Sequence, residues 1–151
     1  MRITALIRLT SLLLFAMPLA GCLRNARLQP FAGQWVLKQS GANLMVIRTH
    51  VSRRKLTGIL IAPSYLDEKG DGRLYELKPP LKQKPVRSRK LKNKSLELLV
   101  GERTDYDVIP MTLTDPNHAQ LHWAKGYVPP WHFERVPDQP PLQPQIPEEK
   151  P

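Results

Sequence analysis

The feature that most constrains this chain is a series of short runs in which apolar residues fall at every second position. Leu96, Leu98 and Val100 form one such run. Ile109, Met111 and Leu113 form another, and Ala119, Leu121 and Trp123 a third. Period-two alternation places one face of a strand in a core and the other in water. Eight β-type runs lie between Phe31 and Val136: Gln34–Gln39, Leu44–Val51, Lys55–Ala62, Arg73–Lys78, Ser95–Val100, Tyr106–Thr114, Ala119–Ala124 and Trp131–Val136. Turn chemistry separates them, as at Ser40-Gly41-Ala42-Asn43, Asp67 to Gly72, and Asp115-Pro116-Asn117. No stretch shows helical periodicity, and 16 prolines in 151 residues exclude a helical bundle. The spacing predicts an all-β domain, a small eight-stranded antiparallel up-and-down barrel over residues 31–136. Closing the sheet removes its exposed edges. A two-sheet β-sandwich is the alternative.

The segment before this domain reads as an address. Arg2 and Arg8 precede an apolar stretch from Leu9 to Ala20, which ends in small residues. This is the layout of a secretory signal, and the stretch is too short to cross a bilayer core of about 30 Å comfortably. Leu19-Ala20-Gly21-Cys22 resembles the lipobox of bacterial lipoproteins, with the chain's one cysteine at the required place. The resemblance implies a signal peptide over 1–21, cleavage before Cys22, and lipid on that residue. Two or more acyl chains anchor a protein stably where one does not. Residue Leu23 is not the aspartate that retains enterobacterial lipoproteins at the inner membrane. The resemblance therefore implies the outer membrane, facing the periplasm. Residues 22–30 read as a tether with a reach under about 30 Å. Residues 137–151 carry six prolines and read as an extended or disordered tail.

Phe31-Ala32-Gly33-Gln34-Trp35 resembles the Gly-X-Trp start of the lipocalin and fatty-acid-binding superfamily. In that superfamily the Trp closes one end of the barrel, often against an arginine from a late strand. The resemblance implies closure by Gly33, Trp35 and Arg135.

Charge narrows the partners. The chain holds 23 Lys and Arg against 13 Asp and Glu. One segment carries the excess: Lys78, Lys82, Lys84, Arg87, Arg89, Lys90, Lys92 and Lys94, with no acid among them. Pro79, Pro80 and Pro85 fall in the same segment, which reads as a long loop between strands four and five. In an up-and-down barrel that loop shares an end with Arg53, Arg54 and Lys55, and with the point where the chain enters strand one. The expectation is a basic rim beside the lipid anchor, with Asp67, Glu68, Asp71, Glu102 and Asp105 on the opposite rim. Each base near an anionic leaflet contributes about 1 kcal/mol, decaying over a Debye length of about 8 Å. Anionic phospholipid or an anionic envelope polymer is the expected partner. Nucleic acid is not, because the address is extracytoplasmic and the basic run lacks interleaved aromatics.

Signs of catalysis are absent. His50, His118, His122 and His132 do not share a metal-binding spacing, since four residues along a strand span about 13 Å. Asp67 to Gly72 lacks the alternating ligands and distant glutamate of a calcium loop. No nucleophile elbow, phosphate loop or dinucleotide fingerprint occurs. The sequence therefore reads as a non-enzymatic, lipid-anchored binding or scaffolding module without a cofactor. The alternative is a carrier or sensor of a small apolar ligand. A packed interior favours the first and an open lumen the second.

Overall fold

A computed structural model describes residues 25–68, 74–123, 129–138 and 143–144, without the side chains of 65–68 and 74–79. Cys22 and the segment before it lie outside the described residues, as do Asp71, Ala124 and most of the proline-rich tail. Eight strands follow a single turn of 3-10 helix at Gln29–Phe31: β1 Gly33–Gln39, β2 Ala42–Ser52, β3 Lys55–Glu68, β4 Leu74–Lys92, β5 Ser95–Gly101, β6 Tyr106–Asp115, β7 His118–Leu121 and β8 Trp131–Val136. Each strand pairs antiparallel with the next, and β8 pairs with β1, so the sheet is a closed up-and-down barrel. No helix among the described residues is long and apolar enough to cross a membrane.

The alternation does what the pleat requires. Trp35 and Leu37 of β1, Met45 and Ile47 of β2, Leu56 and Leu60 of β3, Leu96 and Leu98 of β5, Ile109 and Met111 of β6, and Phe133 of β8 meet in one buried cluster. These side chains fill the lumen. Gly58 sits in this inward series, where a side chain would be expected. A Cβ there would lie 1.8 Å from the Arg48 carbonyl oxygen, so the close approach of β2 to β3 admits only glycine.

β3 and β4 outgrow the barrel. The pairing of β2 with β3 begins at Val46↔Ile61, and that of β4 with β5 begins at Val86↔Val100. Beyond those points β3 and β4 pair only with each other, as a two-stranded ribbon. This corrects the expected basic loop. Lys78, Lys82, Lys84, Arg87, Arg89, Lys90 and Lys92 all lie on strand β4, and only Lys94 lies in the turn that follows. The three prolines are tolerated because the ribbon edge has no neighbour on its outer side, where a missing N–H costs nothing. Pro79 and Pro80 also sit at a shift in register, between Tyr65↔Lys78 and Pro63↔Leu81.

The end where the chain enters β1, the near end, is plugged. Residues 25–28 are helical, and Leu28 and Phe31 join the core cluster, so the packed body begins inside the expected tether. The Phe31 carbonyl accepts hydrogen bonds from Trp35 Nε1 (3.1 Å) and Thr49 Oγ1 (2.8 Å). Gly33 has φ +122, a backbone region open essentially to glycine. Trp35 is opposite Arg135 in register, and the guanidinium lies 4.5 Å from the indole centroid while donating to the Pro30 carbonyl.

A second dry patch lies outside the wall. Val36, Val46 and Ile61 are register neighbours on three strands and point away from the lumen, yet all three are buried. Beside them Gln34 donates to the Pro137 carbonyl (2.7 Å), and Pro144 is itself buried. The start of the proline-rich tail is thus tied to the barrel wall.

Trp35 is fully buried at the junction of plug and lumen. Trp35→Ala is expected to cost about 3–5 kcal/mol by loss of burial and residual cavity. Urea unfolding of the variant against the parent checks this.

Candidate functional site

With the lumen filled, the described residues leave chemistry to the two rims. The near rim gathers the turns after β2, β4 and β6 together with the helical turn and the end of β8. Arg53 and Arg54 form the two-residue turn between β2 and β3, with φ of 48° and 65°. Both lie in the left-handed region, which a two-residue hairpin favours for its twist but which Asn and Gly occupy far more easily than arginine. Two bulky cations are held at a strained position where a relaxed pair was available. Lys55 follows on β3. Lys90 and Lys92 point outward from β4, opposite Glu97 and Ser95, and Lys94 is in the next turn. All six bases are exposed. The two hairpins adjoin because β3 and β4 are neighbours, and Leu56 N–H donates to Ser88 Oγ (3.0 Å) across them. Arg89 Nε lies 3.8 Å from Glu97 Oε2, a loose and exposed pair that contributes little.

The expected cluster therefore divides. Arg53, Arg54, Lys55, Arg89, Lys90, Lys92 and Lys94 are drawn to the near half. Arg87 is occupied as a tie, donating to the Glu102 carbonyl at 3.2 Å. Lys78, Lys82 and Lys84 lie toward the far end, not on the near rim, because the segment is a strand running the length of the barrel. Among the acids expected opposite, Glu102 and Asp105 are exposed in the connection between β5 and β6 at the far end. Asp67 and Glu68 lie on the far part of β3.

A groove of about 620 Å³ opens on the near rim, floored by Pro30, Phe31, Leu113 and Pro116 and bordered by Arg27, Lys94 and Arg135. A more polar cleft of about 810 Å³ lies beside it, lined by Thr49, His50, Asn117, His118, Glu134 and Asp138 among others. Its histidines are engaged locally. His50 Nε2 meets Thr57 Oγ1 at 3.2 Å, and His118 Nδ1 meets Asp115 Oδ2 at 2.7 Å. No group of three or more potential metal ligands occurs among the described residues.

At the far rim, register turns Lys82 and Lys84 inward. They pair with Ala62 and Leu60, whose side chains belong to the core cluster. A pocket of about 300 Å³ lies there, lined by Leu60, Ala62, Pro63, Ser64, Lys82, Lys84 and Trp123. Trp123 stacks on Trp131, with centroids 5.3 Å apart and planes at 28°. Asp107, paired with Val100, reaches Lys84 at 3.9 Å. A loop over residues 78–94, as the prolines suggest, leaves Lys82 and Lys84 without a defined face and hides this group. The alternation Lys82-X-Lys84-X-Val86 carried the information.

Comparison with protein-family models, with curated proteins and with solved structures yields no match for this chain. The site must be read from its own residues.

Asp115 offers a check on the near-rim geometry. The Asn117 N–H donates to its carboxylate (2.7 Å) and, with the His118 ring, holds its pKa below the ordinary aspartate value. A group whose folded pKa is depressed supports the fold fully above its unfolded value, and that support is lost as the pH falls through the folded one. NMR titration of the Asp115 carboxyl is expected to give a midpoint below that of an aspartate in an unstructured peptide. A midpoint at or above the unstructured-peptide value contradicts the turn.

Proposed function

We propose that this chain is a lipid-anchored protein of the bacterial cell envelope, held by acyl chains on Cys22, that works by binding rather than catalysis. Its barrel is lipocalin-like, and its near rim rests on anionic membrane or envelope polymer. The observation that carries this reading is the convergence of Arg53, Arg54, Lys55, Lys90, Lys92 and Lys94 at the end where the chain enters β1. A tether from Cys22 reaches that end first. The body begins packing at Leu28, so the effective tether is only a few residues long and keeps the rim within a Debye length or two of the leaflet.

Support for each part comes from a different place. Leu19-Ala20-Gly21-Cys22 supports lipidation, and Leu23 the outer membrane facing the periplasm. The Gly33-X-Trp35 start and the Arg135 stack support the lipocalin-like reading. The filled lumen favours a scaffold over a carrier whose ligand lies deep in the barrel. The strained Arg53-Arg54 turn favours a function for those cations, since strain of this kind persists where something other than stability retains it.

Two measurements test the proposal. Replacing the turn with R53N/R54G is expected to stabilise the fold by about 1 kcal/mol per residue. The same change is expected to weaken co-sedimentation of the unlipidated domain with anionic vesicles by on the order of tenfold. Unchanged vesicle binding, in this variant and in one that also neutralises Lys90, Lys92 and Lys94, refutes the basic-rim reading. Separately, Cys22→Ala is expected to move the expressed protein out of the membrane fraction, and intact-mass measurement of the parent should show the added lipid.

A further inference from the structure

The far mouth of the barrel has a composition that neither the anchor nor the basic near rim explains. Four observations converge there. The pocket is concave, with a volume of about 300 Å³. Its floor is apolar, from Leu60 and Ala62 of the core cluster. One wall is the half-buried Trp123, backed by Trp131 in a stacked pair. The lip holds two ammonium groups, because Lys82 and Lys84 occupy lumen-side positions that the alternation would otherwise give to apolar residues.

Among the described side chains, the charge on this lip is unbalanced. Lys84 faces Asp107 at 3.9 Å, and both side chains are about half exposed, so the pair is weak. Lys82 has no acid within ion-pair distance among the residues whose side chains are described. Asp107 itself shares the lumen-side parity of Ile109 and Met111, so among the described side chains the lumen-side positions at this mouth hold two cations and one anion. Lysine stems lie along apolar surface while their heads reach outward. The result is a shallow bowl, greasy at its base and flat on one side, with two ammonium groups and one carboxylate among the described side chains of its lip.

We propose that this mouth binds a small amphipathic carboxylate. Its flat or aliphatic body lies against Trp123, Leu60 and Ala62, and its carboxylate lies between Lys82 and Lys84. The body stops at the mouth, because Trp35, Phe133, Leu98 and Met111 fill the barrel below. The pocket sets an upper bound of roughly one bicyclic ring system or a short acyl chain. Asp107 acts as an internal competitor for Lys84, holding one cation until a stronger anion displaces it. This inference does not rest on the anchor or on the near rim, and it concerns the opposite end.

Lysines and prolines at a ribbon edge also deter pairing with another chain, so the experiment must separate the two roles. The probe is 2-naphthoate, titrated into the unlipidated domain while the indole N–H of Trp123 is followed by NMR. Two controls accompany it: 2-naphthalenemethanol, which has the body without the charge, and acetate, which has the charge without the body. Naphthoate is expected to shift Trp123 saturably and to bind about tenfold or more tightly than the alcohol, with no saturable effect of acetate. K82M/K84M is expected to bring naphthoate down to the affinity of the alcohol while leaving the alcohol unchanged. D107N is expected to tighten naphthoate. All these side chains are exposed, so the far-UV circular dichroism of the variants should match the parent. The proposal is overturned if the alcohol binds as well as naphthoate, if K82M/K84M binds naphthoate like the parent, or if naphthoate leaves Trp123 unmoved. Self-association of K82M/K84M with naphthoate binding intact assigns the lysines to edge protection and also overturns it.

Discussion

Everything in this fold depends on the pairing of β8 with β1. Without it, eight strands form an open sheet with two long edges and a half-wet apolar face. With it, the strands of the wall are paired on both sides and one continuous lumen can be filled. The closing seam is reinforced where it meets the chain's own start. Trp35 fills the near end, the Phe31 carbonyl satisfies both its indole N–H and the Thr49 hydroxyl, and the Arg135 guanidinium covers the ring. A planar cation over an indole contributes about 0.5–2 kcal/mol and, unlike an ammonium, stacks flat. The same guanidinium holds the Pro30 carbonyl, so one side chain of the last strand fastens the segment before the first.

Closure also decides where function can lie. A lumen packed with Ile, Leu, Met, Phe and Trp has no room for a deep ligand, and on the outer wall Val36, Val46 and Ile61 are buried and Arg87 is engaged, while Tyr106 and Val108 stand exposed. The concave sites described above lie at the ends. The ends differ because the strands differ in length: β7 has 4 residues and β4 has 19. The excess of β3 and β4 accumulates at one end as a ribbon, while the other end stays level and is plugged. A level, cationic end suits contact with a surface. An end with a projecting ribbon and a recessed aromatic wall suits a small molecule.

The fold was legible because burial on one face imposes a period that sequence displays directly. Each of the eight expected runs overlaps a strand, although β7 stops at Leu121, short of Trp123, and β4 continues past Lys78 to Lys92; the turns at Ser40-Gly41, Arg53-Arg54 and Asn93-Lys94 fall between strands. The basic segment was misread for a physical reason. Pro79, Pro80 and Pro85 forbid an interior strand, but they say little about an edge, and sequence does not announce which strand lacks a neighbour on one side. Once β4 outgrows β5, its first part becomes an edge and the prolines lose their force. The far-end group failed with it, since Lys82 and Lys84 face the lumen only if the segment is pleated. Burial of Leu28 and Pro144 was hidden for another reason. Leu28 lies in a helical turn too short to show a period, and Pro144 lies outside any strand or helix.

The Arg53-Arg54 turn is where backbone strain and the proposed surface contact meet. A two-residue turn with positive φ at both positions is the preferred way to join β2 to β3 with the correct twist, so the backbone conformation follows from the barrel. The residues do not. Asn-Gly would relax the turn, and arginine at both positions leaves roughly 1–2 kcal/mol per residue in the backbone. Against a total stability of about 5–15 kcal/mol that is a substantial concession. Solubility does not require it, because Lys55, Lys90, Lys92 and Lys94 already charge the same rim. What the turn adds is position: the two side chains stand exposed at the tip of the β2–β3 hairpin, on the near rim. Cations placed there meet a facing surface first, which is where a short-range attraction screened over about 8 Å has its effect.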